Sequence, residues 1–185
     1  VNRSSAQADP AKLQWLNQHY MKEATSDRLL RDALPFLERE VDAKVELTPG
    51  LERLLDLLRE RSKTLAEMAQ QARFLLVDEI EIDEKAARKH LKPAIAPALA
   101  SLLAELDGLD GWTEAGIEGA FSRALALHGD LKIGKLAQPV RVAITGGAVS
   151  PGIFETLAAL GRERTLRRIG DALGPLEAAA EGGTD

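Results

Sequence analysis

The chain has 185 residues, and its 24 Lys and Arg against 29 Asp and Glu give a formal charge of −5. A hydrophobic fraction of 45% with 29% charged residues marks an ordinary folded chain rather than a disordered one. The absence of cysteine excludes a disulfide framework, thiol catalysis and thiolate zinc sites. No apolar run approaches the ~20 residues of a membrane span and no secretory signal opens the chain, so no membrane partner is expected. A chain that begins at Val1 is expected to be a fragment.

Nearly every periodic stretch reads as helix. Asp9-Pro10 supplies a cap and a first-turn proline ahead of Leu13, Leu16 and Tyr20. Asp27 to Glu40 is amphipathic, with Leu30, Ala33, Leu34 and Leu37 on one side. Thr48-Pro49 repeats the start signal before Leu51, Leu54, Leu55 and Leu58. Thr64 and Glu67 have capping-box spacing, which leaves residues 59–63 at a junction where side chains are expected to project. After an acidic stretch (76–84), Asp83 can start a helix to Leu91, and Pro93 and Pro97 interrupt it before another helix runs to Leu106. Thr113 caps a segment with Ile117, Ala120, Phe121 and Ala124. Residues 140–144 alternate as a strand would, but one strand has no partner, so they are assigned to a helix ended by Gly146-Gly147. Ser150-Pro151 is expected to cap the next helix. A last, arginine-rich one is expected to stop at Leu173. The reading is all-α, with residues 1–8 a disordered segment or linker, helical subdomains over 9–77 and 78–173, and a flexible tail over 174–185. Trp15 and Trp112 are expected as core anchors.

Charge is segregated along the chain. Residues 131–170 carry Lys132, Lys135, Arg141, Arg162, Arg164, Arg167 and Arg168 but only Glu155 and Glu163. An acidic protein with a basic sector can bind a polyanion locally. Catalytic patterns are missing: there is no phosphate-binding GxxxxGK[ST] loop, GxGxxG or GxSxG, and His19, His90 and His128 have no metal-ligand spacing. The acidic stretch lacks the glycine and terminal glutamate of a calcium loop. No metal site is expected.

Two segments are more specific. Lys12-Leu13-Gln14-Trp15-Leu16-Asn17-Gln18-His19-Tyr20 stands near the start. Gln138-Pro139-Val140-Arg141-Val142-Ala143-Ile144-Thr145-Gly146, then Ser150-Pro151-Gly152-Ile153-Phe154-Glu155, stands near the end. In this order they resemble the anticodon-binding half of bacterial glutamyl-tRNA synthetases, over about residues 10 to 173. The resemblance implies a helical cage of two packed subdomains that grips the anticodon arm of glutamate tRNA, in a cytoplasmic monomer. The intact enzyme would ligate glutamate to tRNA with ATP and magnesium. Those cofactors belong to a catalytic domain whose HIGH and KMSKS motifs do not occur here, so this chain would need no cofactor and would be inactive alone. A helical protein-interaction module without RNA binding is the alternative.

The resemblance also implies roles for residues. Arg61 falls where an arginine reads the third anticodon base, cytosine, in enzymes that discriminate against glutamine tRNA. A guanidinium carries only donors and suits the N3 and O2 acceptors of cytosine, whereas guanine presents donors that arginine leaves unmet. Arg141 matches an arginine at the first anticodon nucleotide, and Ser150, Pro151 and Ile153 match a segment that approaches the same base. Trp15, Asn17 and Tyr20 are assigned to packing and a hinge. Lys132, Lys135, Arg162, Arg164, Arg167 and Arg168 are candidate phosphate contacts.

Overall fold

The computed structural model describes residues 10–181, and the expected disorder of 1–8 and the Asp9 cap lie outside them. Regular structure among the described residues is all helix, without a strand, and they form two compact units divided between Leu76 and Val77.

The first unit begins with α1 (Pro10–Glu23), followed by α2 (Ser26–Val41), α3 (Pro49–Leu58) and α4 (Leu65–Leu76). The helices start where the sequence supplies a hydroxyl. Thr48 Oγ1 accepts from Leu51 N–H at 3.2 Å with Pro49 in the first turn, and Thr25 Oγ1 accepts from Arg28 N–H. At α4 the capping box is half shifted: Thr64 Oγ1 accepts from Glu67 N–H, but the Glu67 carboxylate reaches back to Lys63 N–H at 2.8 Å. Leu29, Leu30, Ala33 and Leu37 of α2 meet Leu51, Leu54, Leu55 and Leu58 of α3 and Met68, Ala69 and Ala72 of α4 in one core. Each fully buried leucine there contributes roughly 2 kcal/mol by leaving water.

Against expectation, Trp15 is no core anchor. It is 63% exposed, stacked flat on His19 at 5.4 Å, and Tyr20 is 61% exposed. Among the described side chains of α1, Met21 alone is buried. The 59–63 junction is also more committed than expected. Arg59 donates to Ala24 O at 2.9 Å and pairs with Asp56, which accepts from Ser26 Oγ, and Ser62 is fully buried. Arg61 remains exposed on that junction.

The second unit contains α5 (Glu84–His90), a 3-10 turn (Pro93–Ile95), α6 (Ala96–Asp107), α7 (Glu114–Ala126), α8 (Ile133–Thr145), α9 (Ile153–Leu160) and α10 (Arg162–Glu181). Residues 140–144 are helical because Val140, Val142, Ala143 and Ile144 are buried around the circumference of α8. α7 packs on α6 and α9, where Phe121 meets the Phe154 ring edge-on at 5.3 Å. Trp112 donates from Nε1 to Leu157 O at 2.9 Å and carries the Arg162 guanidinium over its ring. α10 does not end at Leu173: it passes through Gly174 and Pro175 to Glu181, so residues 174–181 are helix rather than loose tail. Burial of Ala172, Leu173 and Leu176 offsets the amide bond that Pro175 removes.

Candidate nucleic-acid interface

α8 is the spine of the candidate site. Lys135, Gln138 and Arg141 recur at intervals of three and so share one face. At the C-terminal end of that face, Arg141 Nε donates to Ser150 Oγ at 2.8 Å, which joins two of the candidate residues directly. The Ser150 hydroxyl is also 2.9 Å from Pro151 O, and Thr156 Oγ1 donates to Gly152 O at 2.8 Å, so the turn before α9 is held from both sides. Thr145 Oγ1 donates to Arg141 O and accepts from Gly147 N–H, closing the end of α8.

Ser150 is therefore an acceptor for Arg141 rather than a helix cap; the cap position belongs to Gly152, with no side-chain bond. Pro151 is buried and Ile153 only 8% exposed, because the first apolar turn of α9 packs inward. Their side chains shape the turn and do not present a contact surface. The side chain presented there is Val149, at 84% exposure, which sequence reading passed over. A carboxylate also competes at this helix start: a Cβ placed on Gly152 would collide with the Glu155 side chain, which folds back over it.

The arginines of α10 do different work from that expected. Arg168 is 4% exposed; its Nη1 donates to Ile144 O at 2.7 Å, and its Nη2 to Val77 O at 2.7 Å and Asp78 O at 3.3 Å. Burial, and then the positive charges of Arg164 and Arg167, pull its pKa down to about 10 against the opposing pull of Asp78. Arg168 is a buried clamp and leaves the phosphate set. Arg167 donates to Asp78 O at 3.1 Å, Arg164 pairs with the Asp78 carboxylate at 3.4 Å, and Arg162 donates to Leu109 O. These three anchor loops, and only the partly exposed edges of Arg162 and Arg164 and the exposed Arg167 are presented to a ligand.

Lys132 and Lys135 are exposed as expected, on one wall of an open cleft of about 940 Å3. The opposite wall carries Lys89, His90 and Lys92, from the end of α5 and the loop after it. No Asp or Glu is among the cleft's described lining residues. His90 sits below the ordinary imidazole pKa through partial desolvation first, then through Lys89, Lys135, Lys92 and Arg141. Arg141 thus belongs to the same positive field as the lysines. The readable signal for the second wall was the run Lys85, Arg88, Lys89 and Lys92, which lies outside the basic sector at 131–170. Arg61 lies in the first unit, exposed at the end of α3. Among the described residues no group of His, Asp and Glu is gathered to hold a metal, and no helix is long and apolar enough to cross a membrane.

A glutamate–tRNA ligase of Geobacter sulfurreducens is 45% identical over 178 residues, and one of Syntrophobacter fumaroxidans 43% over 176. The alignments cover 96% and 94% of this chain but only 38% and 36% of those proteins. The crystal structure of a glutamate tRNA ligase from Elizabethkingia meningosepticum superposes with a TM-score of 0.77 at 23% identity, over 91% of this chain and 33% of that one, which establishes the shared fold. The model of the anticodon binding domain family matches residues 28–173, from α2 well into α10, and the chain belongs to that family.

Proposed function

We propose that this chain is the anticodon-reading region of a cytoplasmic, monomeric glutamyl-tRNA synthetase, with glutamate tRNA as its partner. The observation that carries the reading is Arg141, held by Ser150 at 2.8 Å beside a basic cleft whose described lining contains no acid. The bond from Nε to a hydroxyl fixes the plane of the guanidinium, and a fixed plane is what bidentate base reading requires. The exposed Arg61 is assigned to the third anticodon base, on the resemblance of its segment. Ser150 orients Arg141, and the buried Pro151 and Ile153 shape the turn from beneath. Ligation itself, with ATP and magnesium, belongs to the part of the relatives' length that this chain does not span.

The test is binding of short anticodon arms that differ only in the anticodon. Arms with a glutamate anticodon should bind more tightly than those with a glutamine anticodon, whose third base is guanine. Arg61→Gln, which adds an acceptor, should narrow that gap, since an amide meets the donors of guanine that arginine leaves unpaired. Arg141→Ala should weaken binding by about 1–3 kcal/mol, with the loss depending on the first anticodon base. Equal affinity for every hairpin, or a gap untouched by Arg61→Gln, would overturn the reading and favour a helical module that binds protein.

A further inference from the structure

The two lysine walls of the cleft converge from elements distant in sequence. Lys89 closes α5 and Lys92 follows it, while Lys132 and Lys135 stand on the first turn of α8. Exposed lysines ordinarily spread over a surface and alternate with acids. Here four face one concavity, and no carboxylate among the described lining residues neutralises them. Ile95, Ile133 and Pro139 also line the cleft and give it apolar surface. Like charges brought together repel, and the His90 pKa is lowered by desolvation first and then by Lys89, Lys135, Lys92 and Arg141. The arrangement gains most from a ligand that brings negative charge and an apolar body together.

We infer that this cleft is a two-walled clamp for the RNA phosphodiester backbone, in which Lys89 and Lys92 oppose Lys132 and Lys135 and lead the strand along α8 to Arg141. The inference rests on the proposed anticodon reading and adds the wall formed by Lys89 and Lys92. Lysine suits this task because an ammonium is a point charge that accepts a phosphate from any direction and reads no base. The first amides of α8 add to the attraction: its cap residue, Lys132, makes no side-chain bond to them, and a Cβ on Gly134 would meet open space. Sugars and bases have the apolar surface of Ile95, Ile133 and Pro139 to rest on.

The experiment compares the chain with its Lys89→Gln/Lys92→Gln variant against anticodon arms of glutamate and unrelated sequence, over a series of salt concentrations. Both lysines are exposed, so the variant should keep the parent's helicity and melting temperature. The clamp predicts a loss of about tenfold near 0.1 M salt, similar for every anticodon, and a salt dependence shallower by about 1.4 in log–log slope for two lost phosphate contacts. Unchanged affinity and slope in the variant, while the parent still prefers glutamate arms, would overturn the clamp and leave anticodon reading intact. A parent that binds all hairpins equally, with the variant weakened, would support the clamp and overturn the anticodon reading. No binding to any hairpin would overturn both. A poly-glutamate peptide that competes as well as RNA of equal charge would overturn the assignment to phosphodiester. The His90 ring resonances supply a local readout. Phosphate beside Lys89, Lys92, Lys135 and Arg141 should raise the imidazole titration midpoint, and a midpoint unmoved by saturating RNA would also overturn the inference.

Discussion

Arg168→Ala should lower the stability of the second unit by about 3–4 kcal/mol, seen as a fall of some 10–20 °C in its melting temperature. The guanidinium bonds to Ile144 O and Val77 O at 2.7 Å and to Asp78 O at 3.3 Å, in a place almost closed to water. Truncation strands those carbonyls, and an unmet acceptor without water costs about 1–3 kcal/mol. It also leaves a void where the long side chain packed. Arg168→Lys should recover part of the loss, since an ammonium can reach one or two carbonyls but cannot span them as a planar fork does. RNA affinity measured well below the transition should change far less than stability does. A variant that melts normally yet binds RNA poorly would show that the residue touches phosphate after all.

The second large effect is expected one turn away. Gly146→Ala should cost about 2–4 kcal/mol, whereas Gly147→Ala should stay within about 0.5 kcal/mol of the parent, by chemical denaturation of both variants. Gly146 ends α8 with φ of 80°, in the left-handed region that a side chain disfavours by about 1 kcal/mol. A Cβ there would also drive into the Glu81 carbonyl, which is backbone and cannot swing aside. The same approach lets Asp83 N–H donate to Gly146 O at 2.8 Å, so the alanine would push apart a bond that fixes the start of α5 against the end of α8. Gly147 lacks both constraints: its φ is not positive and a Cβ there would meet no atom within 4 Å. Equal costs at the two glycines would overturn this account.

Both predictions concern features that a linear reading misjudged, for a common reason. Local rules were readable: Thr48, Thr64 and Thr113 start helices because a hydroxyl three residues away meets a free amide, and that depends on neighbours alone. The assignment of 140–144 to a helix likewise needed only the absence of a partner strand. What could not be read was the destination of a long side chain. An arginine that clamps carbonyls and one that meets phosphate have the same letter, so Arg168 was grouped with Arg162 and Arg164 by charge. Gly146 looked like a plain stop because its neighbour Glu81 is remote in sequence. Lys89 and Lys92 went unnoticed because the cleft exists only once α5 lies against α8. In α1, the helical spacing of Leu13, Leu16 and Tyr20 was readable, but not that these side chains stay 49%, 38% and 61% exposed.

The two tryptophans stand in contrasting surroundings, one in each unit. Trp15 is open to solvent on α1, while the Trp112 indole is half-buried, bonded to Leu157 O and faced by a cation. Their emission therefore separates by colour, the first resembling free indole and the second shifted to the blue. Heating or denaturant will redden Trp112 as its unit opens and leave Trp15 nearly unchanged in wavelength. The molecule thus carries an intrinsic optical gauge of the half that holds Arg141, with no label attached.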